Sequence, residues 1–514
     1  MSFTNQIRAM LGSTALVAAS ALPGLANTEL HILHFNDFHS RIESISRFNS
    51  TCSASDEAAG SCFGGAARLY ALVTQMRSAL EAEGHPVIVL DAGDASQGSL
   101  FYTTYGGRVE AELLERIGVD VMAVGNHEFD LGPEGLAVFL DTVSFPIISA
   151  NTDVSANNLL AGRVAPYAIV ETGGLRVGVV SALAADTAET SSPGPTVTFG
   201  NEIEALRAAV ADLQGQGVAP IIALTHVGYV ADQRIAAQVP GLAAVVGGHS
   251  HTFLSASSPS RQGPYPTWVD NEDGSIVPVV TAGAYSRYLG HLVLELDDAG
   301  TLIYATGDAI EINAEVTPDP EIAEWVAGLT GPIEETRSRP VSESAGAIEG
   351  SREVCRQMEC SMGNLVADAM LARVADQGVT IAIQNGGGLR SSIDEGVITM
   401  GEVLSVLPFQ NTLATFQLTG ADVVAALENG ASQLEENAGR FAQVAGLHYT
   451  FDPAAPAGAR VSDVMVMADG AWAPIDPAAT YGVVSNDFMR VGGDGYRMFR
   501  DNAMNAYDFG PDLA

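Results

Sequence analysis

From residue 30 to about residue 310, short apolar runs recur along the chain, and many of them end on a side chain able to bind a metal or handle a proton. The runs are 30–35, 87–90, 119–124, 146–149, 176–181, 220–224 and 242–246. They are near-continuous rather than alternating and too short for typical helices, the pattern of strands buried on both faces. Between them, Ala66–Ala82, 109–117 and 202–214 carry helical spacing, with Leu69, Leu72, Val73 and Met76 on one face of the first. Strand and helix alternating in this way predict a layered α/β domain around a central mixed sheet. Residues 279–296 alternate more strictly in their second half, which predicts antiparallel strands. Thr317-Pro318-Asp319-Pro320 then opens a helix over 321–337, with Pro at its start and acidic residues in its first turn. Gly331-Pro332 predicts a kink, and Arg339-Pro340 the end. A Pro-flanked helix between two globular stretches reads as a connector to a smaller α/β domain. The expected division is 1–26 as a leader, 27–316 as the first domain, 317–340 as the linker and 341–514 as the second domain.

Composition changes this picture in two ways. The 514 residues are long enough for two large α/β units, and 47% of them are hydrophobic. Asp and Glu outnumber Lys and Arg by 61 to 24, a net charge of −37, and every basic side chain is Arg because the chain contains no Lys. Nucleic-acid polymers and anionic membranes repel such a chain, so neither is an expected partner. Small anions remain possible wherever Arg or metal is concentrated. Arg8, an apolar stretch over 9–19 and small residues over 21–26 read as a secretory signal, shorter than the roughly 20 residues of a membrane span. No later stretch is apolar enough to span a bilayer, and the polar 505–514 offers no anchor. The expectation is a periplasmic or secreted protein.

Four Cys in an exported chain suggest two bridges with three possible connectivities. Spacing favours local pairs, Cys52 with Cys62 and Cys355 with Cys360. The second pair lacks the CxxC spacing and the partner pair of a zinc site.

The candidate chemistry sits where the strands end. Asp37-x-His39 follows the first run, Gly93-Asp94 the second and Gly125-Asn126-His127-Glu128-Phe129-Asp130 the third; His226 and then Gly247-Gly248-His249-Ser250-His251 follow later ones. Open α/β sheets keep their ligands at this carboxyl edge. One His at a strand end is more often structural, whereas five such motifs in succession fit two divalent cations, with an Asp bridging and imidazoles completing each shell.

In this order the motifs resemble the calcineurin-like metallophosphoesterase superfamily. The second half narrows the resemblance. Cys355-Arg356-Gln357-Met358-Glu359-Cys360-Ser361-Met362-Gly363-Asn364, Gln384-Asn385-Gly386-Gly387-Gly388-Leu389-Arg390, Leu407-Pro408-Phe409, Asn486-Asp487-Phe488 and Gly492-Gly493-Asp494-Gly495-Tyr496 resemble the exported 5′-nucleotidase family. The resemblance implies one metal site from Asp37, His39 and His251, a second from Asn126, His226 and His249, and Asp94 bridging. Bacterial relatives often carry Gln where this chain has His251. Mixed nitrogen and oxygen ligands suit Zn, Mn or Co.

The resemblance further implies that water activated by the cations attacks phosphorus in line with the leaving ribose oxygen. His127 would contact the transferring phosphoryl group, with Asp130 orienting it and favouring imidazolium. Phe409 and Phe488 would sandwich the base, Arg356 and Arg390 would meet ribose and phosphate oxygens, Asp494 would accept from ribose hydroxyls, and Asn385 and Asn411 would face the base. Because metals and base platform lie in different domains, a hinge rotation is implied. The expected reaction is hydrolysis of nucleoside 5′-monophosphates, with UDP-sugars, 2′,3′-cyclic nucleotides and NAD left open. A related sulfur-oxidising hydrolase has a similar metal domain, but the paired Phe and the Gly-Gly-Asp-Gly loop fit a nucleotide better. An exported nucleotide-binding protein with a vestigial metal site is the reading from another class, opposed by the complete ligand set. No oligomeric state is assigned.

Overall fold

The computed structural model of the chain describes residues 27–468 and 470–514, so the expected leader lies outside the described residues. The central mixed sheet of the first domain is realised as two six-stranded mixed sheets. One is ordered Leu302–Glu311, Tyr288–Leu296, Thr28–Phe35, Val87–Asp91, Val121–Ala123, Ile147–Ile148. The other is ordered Thr267–Asp270, Ile276–Val280, Ala244–Gly247, Ile221–His226, Leu175–Leu183, Tyr167–Thr172. Leu30, Ile32, Ile88 and Leu90 of the first meet Val177, Val179, Ile222, Leu224 and Val246 of the second in one core. Alternate residues point outward: Leu33 and Phe35 join the helices Ala66–Ala82, Arg108–Ile117 and Pro133–Thr142, while Ala223 and Val245 join Glu202–Gly215 and Tyr229–Gln238. Each central strand is thus apolar on both faces because one face meets a sheet and the other a helix layer.

Tyr288–Leu296 is antiparallel to both of its neighbours, as its alternation predicts. Ile276–Val280 is mixed, parallel to Ala244–Gly247 and antiparallel to Thr267–Asp270.

The connector helix spans Pro320–Arg337, with Asp319 accepting from the backbone N–H groups of Glu321 and Ile322 at 3.0 Å. It passes through Pro332 and stops close to the expected end. Ile322 and Ile333 are buried in the first domain's outer core, with Trp325, Val326 and Leu329 packed against it. The helix is therefore docked on the first domain, and its end meets the second, where the Arg339 carbonyl accepts from the Met400 backbone N–H at 2.8 Å.

In the second domain a five-stranded sheet, ordered Ala442–Ala445, Ile381–Asn385, Thr480–Asn486, Leu413–Thr419, Met504–Tyr507, carries a core on each face. Ser361–Arg373 covers one side and Gly420–Gly430 the other. Both local disulfides form, Cys52–Cys62 and Cys355–Cys360.

Candidate active site

Both sheets of the first domain aim their carboxyl ends at one point. Asp37 and His39 follow Thr28–Phe35, Asp94 follows Val87–Asp91, Asn126 and His127 follow Val121–Ala123, His226 ends its strand, and His249 and His251 follow Ala244–Gly247. Five of these seven expected ligands hold left-handed backbone: Asp37, His39, Asp94, His249 and His251 have φ between 48° and 76°. Non-glycine residues rarely take this conformation, and its recurrence here marks turns tight enough to fold the side chains back over the sheet edge. Gly125 lets two of the turns nest, since a Cβ there would collide with both the backbone N and the Oδ1 of Asp94.

The seven donors fall into two groups that share Asp94. In the first, Asp37 Oδ1 is 3.2 Å from His251 Nε2 and 3.7 Å from His39 Nε2, and the two imidazole nitrogens stand 2.9 Å apart. In the second, Asp94 Oδ2 is 3.0 Å from His226 Nε2, and Asn126 Oδ1 is 2.9 Å from His249 Nδ1. Asp94 Oδ2 also lies 3.8 Å from His39 Nε2, between the groups.

The donors fit cations. His226 Nδ1 lies 2.7 Å from the Ala92 carbonyl, and His39 Nδ1 lies 3.2 Å from the carbonyls of Ser96 and Gln97. A proton at each Nδ1 turns the Nε2 lone pair toward the cluster. Asp37 Oδ1 is buried without a hydrogen-bond partner, a cost that a bound cation removes. Burial holds His39, His249 and His251 well below the usual imidazole range, so all three are neutral donors. For Asp94, burial favours the acid, but His226 and His127 outweigh it and keep the carboxylate ionised.

Glu128, missed as a functional residue in the sequence, ties the turns together. Its carboxylate accepts from the backbone N–H groups of Gly125 at 2.8 Å, Ser96 at 3.0 Å and Asp94 at 3.1 Å. Its place inside the Gly-Asn-His-Glu motif was the available signal.

His127 stands beside these groups, clustered with His39 and Asp94, its Nε2 4.0 Å from Asp94 Oδ2. Its Nδ1 is 2.7 Å from Asp130 Oδ2, while Asp130 also accepts from Gln97 Nε2 at 3.1 Å and Ser191 Oγ at 2.7 Å. Burial alone would lower the His127 pKa, but Asp130 and Asp94 overcome it, and the net shift is upward. An imidazole anchored at Nδ1 and biased toward its charged form leaves Nε2 for the cleft that the ring lines. Gln97 and Ser191 carried no motif that would have singled them out.

That cleft, about 910 Å³, runs between the domains. His127, Asp94, Asn126, His249 and His251 line it from the first domain; Arg356, Asn385, Arg390, Phe409, Asn411, Phe488 and Asp494 line it from the second. Phe409 stacks toward His127, with ring centroids 5.7 Å apart and planes at 30°, and the Arg390 guanidinium carbon is 5.6 Å from the Phe409 ring. Arg390 Nη2 is 3.0 Å from His39 Nε2, placing positive charge against the metal cluster. The far end of the Phe488 ring packs against Gly493, where a Cβ would sit 2.5 Å from Cζ. Asn385 lines the cleft yet donates its Nδ2 to Asp494 Oδ2 at 2.6 Å and accepts at Oδ1 from Asn486. Its amide therefore holds the Asp494 carboxylate in place.

The sequence reading left out two Arg that line the same cleft, Arg352 and Arg440. Arg352 donates to the His249 carbonyl at 3.3 Å, and the Nε atoms of Arg352, Arg356 and Arg440 are buried with no partner. Burial and mutual repulsion lower the Arg356 pKa, as expected of guanidiniums collected for an anion rather than for a protein carboxylate. In a chain this acidic, a second Arg four residues before Arg356 was the overlooked signal.

Comparisons with known proteins agree with this geometry. Residues 30–253 match the family described as calcineurin-like phosphoesterase, and residues 339–501 the one described as 5′-nucleotidase, C-terminal domain. The 5′-nucleotidase of Bos taurus is 38% identical over 511 residues, covering 95% of this chain and 87% of the relative. A snake venom 5′-nucleotidase from Naja atra is 36% identical over 501 residues, covering 93% of each. The crystal structure of a 5′-nucleotidase precursor from Thermus thermophilus superposes with a TM-score of 0.89 at 40% identity, covering 94% of both chains. A cation-ready cluster in one domain, an arginine- and aromatic-lined wall in the other, and relatives matched nearly end to end place this chain in the 5′-nucleotidase family.

Proposed function

We infer that this chain hydrolyses nucleoside 5′-monophosphates to nucleoside and phosphate, outside the cytoplasm, with two divalent ions held by Asp37, His39, Asp94, Asn126, His226, His249 and His251. The observation that carries the reading is the shared cleft: four of the seven proposed metal donors, Asp94, Asn126, His249 and His251, and His127 face, across about 910 Å³, two half-buried Phe rings, a buried carboxylate and a set of Arg with unpaired nitrogens. The two ions supply Lewis acidity toward the phosphoryl oxygens and a water acidic enough to attack near neutral pH. Zinc, manganese and cobalt all suit the donors, and the nitrogen of His251 in place of an amide oxygen favours zinc.

The protein's own groups do the rest. His127, kept cationic by Asp130, donates from Nε2 to a phosphoryl oxygen as charge develops, while Gln97 and Ser191 fix Asp130. Arg390 and Arg356 bind phosphate and ribose oxygens through directed N–H groups. Phe409 and Phe488 stack on the base from either side, Asp494 accepts from the ribose hydroxyls, and Asn385 and Asn411 complete the edge of the base pocket. Asp494 is buried, and its hydrogen bond from Asn385 aims it before substrate arrives.

The division into 27–316, 317–340 and 341–514 is retained as the functional one, with rotation located just beyond the docked connector, around residues 338–340. Export is supported by the two disulfides and by the leader-like start of the sequence. No helix among the described residues is long and apolar enough to cross a membrane.

The test is phosphate release from AMP, UDP-glucose, 2′,3′-cyclic AMP and NAD, each with and without a chelator. AMP is expected to be the best substrate, with activity lost on chelation and restored by zinc, manganese or cobalt. Chelator-resistant turnover, or a clear preference for one of the other three substrates, overturns the reading.

A further inference from the structure

The described residues hold another group of potential metal donors, outside the active site and at the opposite end of the same strand. His31 stands six residues before Asp37, which at about 3.3 Å per strand residue puts it roughly 20 Å from the cleft. Strand periodicity gathers its neighbours. Glu29 and His31 share one face of Thr28–Phe35. On the adjacent strand His291 pairs with Leu33, one step along that same face. His85 belongs to the turn entering Val87–Asp91, where the backbone N–H of His31 donates to the Pro86 carbonyl at 2.9 Å.

Glu29, His31 and His85 each present one donor atom, all within 4.8 Å of one another. His31 is 6% exposed, and its Nε2 is buried without a hydrogen-bond partner. That atom lies 3.9 Å from Glu29 Oε2, and His85 Nδ1 lies 3.9 Å from the same oxygen. Ligands of a tetrahedral zinc ion stand about 3.3 Å apart, since each lies about 2.0–2.1 Å from the metal. The remaining gap is small, and Glu29 and His85 have the exposure to close it, their side chains being 52% and 31% accessible. His31 Nδ1 is 2.9 Å from His291 Nε2, so a proton shared there holds the ring and turns the Nε2 lone pair toward Glu29 and His85. Metal-binding imidazoles commonly have such a partner on the second nitrogen.

We propose that Glu29, His31 and His85 form a third, accessory cation site, with His291 positioning His31, selective for a borderline transition ion such as zinc. Two imidazoles and one carboxylate suit zinc over magnesium or calcium, which prefer all-oxygen shells. A bound ion clips the first residues of the central strand to the turn before its neighbour, at an end of the sheet remote from catalysis.

The test compares zinc content per chain, by mass spectrometry of the metal, in wild type and in His85→Ala after both are equilibrated against the same buffered free zinc. The proposal expects His85→Ala to hold one zinc fewer per chain while phosphate release from AMP is unchanged. His291→Ala, which removes no ligand, is expected to weaken retention of that same zinc by about 10–100-fold in a competition titration. Equal zinc content in wild type and His85→Ala overturns the proposal, whatever the two active-site ions do; so does a third zinc in wild type that His291→Ala holds as tightly.

Discussion

Asp130 stands three positions after His127, and the single turn His127–Phe129 is what brings Nδ1 to 2.7 Å from the carboxylate. Because the seven proposed donors remain in place without His127, His127→Ala should keep both active-site ions. It should lose about 10²–10⁴-fold in kcat, the usual worth of a positioned proton-handling group. Metal analysis alongside steady-state kinetics checks this, and loss of an ion would reassign the residue. Asp130→Asn should lower kcat with little change in KM, because it alters how His127 is held rather than how nucleotide binds. The strand-end motifs singled out His127, Asp130 and the seven proposed donors, each at or just after the end of an apolar run. Arg352, Gln97 and Ser191 were not legible in that way: they reach the cleft through tertiary packing. Asn385 was legible as a site residue, but its engagement with Asp494 depends on a strand pairing that no local pattern displays.

At the scale of elements, buried strands were easy to find and hard to assign to a sheet. Residues 30–35 and 220–224 look alike in sequence, because each strand is covered by a sheet on one face and helices on the other; which strands pair is decided by the connections between them. The helix Arg108–Ile117 carries a less visible feature. Glu110, in its first turn, is fully buried, with one oxygen accepting from Ser40 and the other unpartnered. Burial, opposed by the Ser40 hydrogen bond, raises its pKa from 4.5 to about 7. The sign follows directly. The folded state keeps this proton over a range in which the unfolded chain has lost it, so the stabilisation is complete below pH 4.5 and is lost as pH rises through 7. At about 1.4 kcal/mol per unit, the difference amounts to roughly 3 kcal/mol. Urea unfolding of wild type and Glu110→Gln at pH 5 and pH 8 should show the variant losing less stability across that interval. Identical pH dependence would mean that Glu110 is ionised in the fold.

Over the whole molecule, the two domains each hold half of one site, and the connector between them is packed on the first. The proposed rotation is expected beyond Arg337, where Pro340–Ser344 pairs with Gly396–Thr399 of the second domain. A disulfide engineered across the cleft mouth should suppress turnover when oxidised and restore it when reduced; turnover indifferent to the crosslink would place substrate entry elsewhere. The domain count and the order of the domains were legible from length, the Pro-flanked helix and the motifs. The depth of their joint cleft was not, because it depends on how the surfaces of two domains meet. The most direct measurement of the central claim is kcat/KM for AMP against ribose 5-phosphate in wild type and in the Phe409→Ala/Phe488→Ala protein. With stacking worth about 1–3 kcal/mol per base, wild type should favour AMP strongly, and the double variant should lose most of that preference while retaining its active-site ions. A double variant that still prefers AMP as strongly as wild type would contradict the account.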